Sequence, residues 1–205
     1  HHHAQVSSFH DDGDTVRMTW AGGVLKPPDP KDPGRLFIRT FLPAEHTIRR
    51  IGGDGYEAWS NGKNRTGDGH KNLKVDTGRW RIEVSPKKPA RFDNFLHLIH
   101  ICDTRTNKMP PAEMVRSKDA VMTGLSVGGW LVMFGKKGEV EGEVSYKAPK
   151  GKTAHLVVDL KRGARYTVSG LTGGEKEMTV SREGTLRFAT EGGGIVKLAP
   201  IPSRP

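Results

Sequence analysis

The segment GGDGYEAWSNGKNRTGDGHKN at 52–72 gathers more chemistry-bearing side chains than any other part of the chain. Tyr56, Trp59, Asn61, Lys63, Asn64, Arg65, Asp68 and His70 stand there among six glycines. Glycine lets a backbone approach a ligand closely. Aromatic, amide and cationic groups together suit a sugar that carries acidic substituents. A ring face stacks on Trp or Tyr, amides bind hydroxyls, and a guanidinium grips a carboxylate or sulfate. The competing reading is a solvated hairpin loop with no ligand.

Further cations fall on strand-like segments. Arg35 and Arg39 share one face of RLFIRTFL (35–42), and Arg79 and Arg81 share one face of RWRIEV (79–84). If these strands adjoin, they form a cationic sheet face that attracts polyanions, more weakly as salt rises. Two histidines lie in FLHLIHIC at 95–102. Side chains alternate along a strand, so His97 and His100 point to opposite faces and cannot chelate one metal together. Each is readable either as a core histidine bonded to backbone or as one member of a site completed by distant residues.

Other chemistries have no footing. The sequence contains no G-x-S-x-G, P-loop, H-E-x-x-H or C-x-x-C pattern, so serine-hydrolase, nucleotide-enzyme and zinc-finger readings drop out. The single Cys102 sits in an apolar run, where a thiol is usually inert. The acidic clusters at 11–14 and 139–143 lack calcium-loop spacing.

The elements that must carry these residues read as strands. In RWRIEV, Trp80, Ile82 and Val84 alternate with Arg79, Arg81 and Glu83, the period of a half-buried strand. EVEGEVSY at 139–146 sets Glu139, Glu141 and Glu143 against Val140, Val144 and Tyr146. Short apolar runs continue at 130–135, 154–160, 165–170, 177–181, 185–190 and 195–199, separated by Gly-, Pro- and Asp-bearing turns. Only PAEMVRSKDA at 111–120 suits a short helix. The expected fold is therefore all-β: an antiparallel two-sheet, jelly-roll-like β-sandwich with long loops and at most one short helix.

Composition agrees. The 205 residues carry 33 Lys+Arg against 23 Asp+Glu, a net charge of +10, with 34% hydrophobic residues, 26 Gly and 13 Pro. No apolar stretch approaches the roughly 20 residues of a membrane-spanning helix. His1–His3 read as a tag remnant. One sandwich domain is expected over 4–201, with a loop-rich half at 4–105, a connection at 106–128, a hairpin-rich half at 129–201 and a tail at 202–205.

The segments GRLFIRTFLP (34–43), IGGDGYEAWSNGKN (51–64), GRWRIEVSPKKPARFDNFLHLI (78–99) and YTVSG…MTVSREGTLRFAT (166–190) give the chain a further likeness. It resembles the C-terminal β-sandwich region of heparinase II/III-like polysaccharide lyases and related uncharacterised bacterial proteins. The resemblance implies secreted or periplasmic handling of acidic polysaccharide. Such lyases act by β-elimination: the uronate carboxylate is neutralised, a Tyr or His removes the C5 proton, and an acid assists the leaving oxygen. In the family most of these groups come from an N-terminal helical toroid, which these 205 residues do not contain. The resemblance carries no catalytic Tyr onto a position here and offers His97 alone as a matching histidine. It implies no cofactor beyond the structural divalent metal of some members, whose ligands do not map.

Three readings follow. The first is a sandwich that binds uronate- or sulfate-containing polysaccharide through Trp59, Asn61, Lys63, Asn64, Arg65, Arg79, Arg81 and Arg39. The second makes the chain itself a lyase, with His70, Tyr56, Arg79 and Arg81, or Tyr146 and His97, in a groove. The third is a nucleic-acid-binding or structural domain, for which no recognition signature is present beyond charge.

Overall fold

The computed structural model describes residues 6–12, 14–20, 34–53, 55–56, 59–65 and 80–202. Every regular element among them is a strand, so the chain is all-β. It divides into two compact units, 1–109 and 110–205, a boundary that falls inside the 106–128 connection. The sequence reading has a single sandwich over 4–201. Apart from Phe37 and Leu125, the buried apolar residues described here fall into two clusters, one in each unit.

The first unit holds β1 (Val6–Asp12), β2 (Thr15–Trp20), β3 (Gly34–Leu42), β4 (His46–Gly52), β5 (Trp59–Ser60), β6 (Lys63–Asn64), β7 (Trp80–Pro86) and β8 (Leu96–Asp103). A four-stranded sheet runs β1-β2-β3-β8, and β4 pairs with β7 as a separate antiparallel ribbon. Alternation explains how the two layers meet. Val16, Met18, Leu36 and Ile38 occupy one face of β2 and β3, where Val16 lies opposite Ile38 and Met18 opposite Leu36. That face packs on Ile48 and Ile82 of the ribbon. The period of two in RWRIEV thus places Ile82 inward and its neighbours Arg81 and Glu83 on the ribbon's outer face.

The second unit is a two-sheet sandwich. Its strands are β9 (Ala112–Arg116), β10 (Met122–Val127), β11 (Trp130–Gly135), β12 (Val144–Ala148), β13 (Thr153–Val157), β14 (Arg165–Ser169), β15 (Lys176–Thr179), β16 (Leu186–Thr190) and β17 (Gly194–Ile201). One sheet runs β16-β13-β11-β10-β9 and the other β12-β17-β14-β15. Met122, Leu131, Met133, Val157 and Leu186 of the first face Val144, Tyr146, Tyr166, Val168, Val196 and Leu198 of the second. Burial of apolar surface is worth roughly 25 cal/mol per Å², and this is the larger of the two apolar clusters. Gly170 closes β14 at φ +84°, where an added Cβ would meet the Ile195 carbonyl oxygen at 2.2 Å.

Three local expectations are corrected. Residues 111–120 form no helix; β9 occupies Ala112–Arg116, because Met114 and Ala112 alternate with Val115 along an edge strand paired to β10. The segment 139–146 is a strand only from Val144, since Val140 makes an isolated bridge to Leu160 and Gly142 lies in a bend. The pairing is not wholly antiparallel, because β11 and β13 run parallel.

Candidate functional site

The aromatic loop builds a small hairpin. Ser60-Asn61-Gly62-Lys63 turns the chain between β5 and β6, with Trp59 opposite Asn64 and Ser60 opposite Lys63. Asn61 has φ 49° and Gly62 φ 74°, the pair of left-handed residues that a type I′ turn requires. Asn61 is therefore fitted to the turn, and the Asn-Gly dipeptide is the sequence signal for it. A second turn precedes the hairpin: the Tyr56 N–H donates to the Gly53 carbonyl (2.9 Å), and the Trp59 N–H to the Tyr56 carbonyl (3.3 Å). Together they set the Tyr56 and Trp59 rings 4.7 Å apart at 41°, within the range of favourable aromatic pairing. Tyr56 is 49% exposed and Trp59 is half-buried.

Arg81 locks this arrangement from the ribbon. Its Nε donates to Glu83 Oε1 at 2.8 Å, and its Nη1 donates to the Trp59 carbonyl. Only 14% of the side chain is exposed. Arg81 thus positions Trp59, and two of its donor groups are already engaged. Cross-strand neighbours share a face of a hairpin, so Asn64 stands with Trp59 while Lys63 stands with Ser60. Lys63 and Arg65 are exposed.

The other predicted residues lie elsewhere. Arg39 is on β3, on the face opposite Ile38, where its guanidinium sits 4.7 Å above the Phe41 ring. Since Ile38 and Ile82 meet in the core between the layers, Arg39 and Arg81 point outward from opposite sides of the unit, and the two arginine-bearing strands do not form one cationic face. His97 bonds Thr40 through Nδ1 (3.1 Å), while His100 stacks on Phe37 on the other face of the sheet. His70 and Arg79 lie outside the described residues.

Tyr146 belongs to the core of the second unit. Its hydroxyl bonds His155 Nδ1 at 3.1 Å, and His155 Nε2 bonds Thr190 Oγ1 at 3.0 Å. All three residues are buried, and His155 also stacks on Phe188 with centroids 4.8 Å apart. Burial pushes the Tyr146 phenol up and lowers His155 from 6.5 to about 4, because desolvation disfavours phenolate and imidazolium alike. A neutral imidazole has one donor and one acceptor nitrogen. Whichever nitrogen carries the proton, one hydroxyl donates and the other accepts. Tyr146 is enclosed in the core of the second unit, at 2% exposure, whereas His97 lies on β8 of the first. His155 was not anticipated as a site. The signal lay in its place between Thr153 and Val157 on a core face, where a buried imidazole must find partners.

Among the described residues no group of three or more His, Cys, Asp or Glu is arranged to hold a metal ion. No family model and no curated protein matches this chain.

Proposed function

We propose that the first unit binds acidic polysaccharide, with the Tyr56–Trp59 ring pair as its platform. The carrying observation is that pair: two adjoining rings, one half exposed, fixed by a tight turn and by the Arg81 bond to the Trp59 carbonyl. A sugar ring stacks on such a surface and buries its apolar C–H face there. Asn64 lies directly across the hairpin from Trp59. Lys63 and Arg65, exposed on the same hairpin, and the chain's net charge of +10 favour a polymer bearing uronate or sulfate. The reading places the protein outside the cytoplasm, in a secreted or periplasmic setting where such polymers are handled. Electrophoresis through gels containing alginate, heparin or a neutral glucan tests it. The reading expects retardation by the acidic polymers and none by the glucan. Equal retardation by duplex DNA of matched charge density would reduce the effect to charge attraction.

A further inference from the structure

The two sheets of the second unit each end in a strand with a ladder partner on one side only: β9 pairs with β10, and β12 with β17. These two edges meet at one end, where the Lys118 N–H donates to the Ser145 carbonyl at 2.8 Å. Beside this junction lies a cleft of about 820 Å³, lined by residues 113–116 on one side, 147–150 on the other, and by Gly193 and Gly194. Alternate residues of an edge strand turn their N–H and C=O groups to the open side. Both walls therefore offer backbone groups to whatever lies between them.

The cleft has an apolar floor of Val115, Ala148 and Pro149. Its rim carries Arg116, Lys147 and Lys150 against the single carboxylate of Glu113. None of the three cations forms an ion pair among the described residues, whereas Lys161, Arg165, Arg182 and Lys197 of the same unit all do. We infer that this cleft receives an extended acidic peptide, inserted as an added strand between the β9 and β12 edges. Main-chain bonding to the edges supplies affinity, every second side chain enters the apolar floor, and the intervening carboxylates meet the rim cations. No aromatic ring lines the cleft, so it lacks the stacking surface that a sugar polymer uses, and the peptide is the better fit.

Fluorescence anisotropy of the full chain with a labelled eight-residue peptide alternating Glu and Val tests the inference. The expected result is saturable binding that weakens by about tenfold or more in two cases. One is a peptide N-methylated at alternate residues, which cannot complete the ladder. The other is the double variant Arg116→Glu, Lys150→Glu. Lys137→Glu, the same charge reversal at an exposed position outside the cleft, should bind as the unaltered chain does. Absence of binding overturns the inference. So does equal affinity for the N-methylated peptide, or displacement of the peptide by an oligouronate of matched charge at the same concentration, which would make the cleft a glycan groove.

Discussion

The phenol of Tyr146 and the imidazole of His155 show how a core fixes the state of its polar groups. Fully enclosed, each must be bonded, and the chain Tyr146–His155–Thr190 satisfies both imidazole nitrogens. Tyr146→Phe removes one partner and leaves a buried ring nitrogen unbonded, which is expected to cost about 1–3 kcal/mol, read as a lower urea midpoint. The pH dependence follows from the lowered His155. Between pH 6.5 and about 4 the unfolded chain binds a proton that the folded chain excludes. Its contribution is therefore complete above pH 6.5 and lost as pH falls toward 4. The shift corresponds to roughly 3 kcal/mol. Urea titrations at pH 7 and pH 4.5 should show this loss in the unaltered chain and a smaller one in His155→Leu; equal losses would remove His155 as the cause.

Among the elements, the β5–β6 hairpin takes its shape from two left-handed turn residues, Asn61 and Gly62. Gly62 sits at φ 74° with open space around it, so Gly62→Ala adds no clash but forces an L-residue into the left-handed region at about 1–2 kcal/mol. The hairpin should loosen and glycan retardation weaken while the thermal midpoint of the second unit stays in place; a shift of that midpoint would contradict the local account. The sequence made some elements readable and others not. Trp80–Pro86 was legible because Ile82 alternates with charged residues and is half-buried. The start of β12 was not, because Glu139, Glu141 and Glu143 alternate with Val140 although backbone bonding there is irregular. Residues 111–120 favour neither helix nor strand locally, and pairing with β10 decides for a strand. The closeness of Tyr56 to Trp59 was legible as a cluster of residue types. The opposite placement of Arg39 and Arg81 was not, since it depends on which layer each strand joins.

On the scale of the whole molecule, a net charge of +10 draws any polyanion, and this attraction carries no recognition of its own. At about 1 M salt the screening length is roughly 3 Å, so binding carried by charge alone should vanish there while a contact made by stacked rings persists. Retention of the chain on DNA is accordingly expected to be lost across a salt gradient before retention on alginate. On the proposed reading the ring pair is what separates recognition from simple attraction, and Trp59 is its less exposed and better anchored member. The most direct measurement is the Kd for an oligouronate, by calorimetry at high salt, for the unaltered chain and for Trp59→Ala. The account predicts that the substitution weakens binding by about 3- to 10-fold, the equivalent of about 0.5–1.5 kcal/mol of aromatic contact. An identical Kd for the two proteins would contradict it.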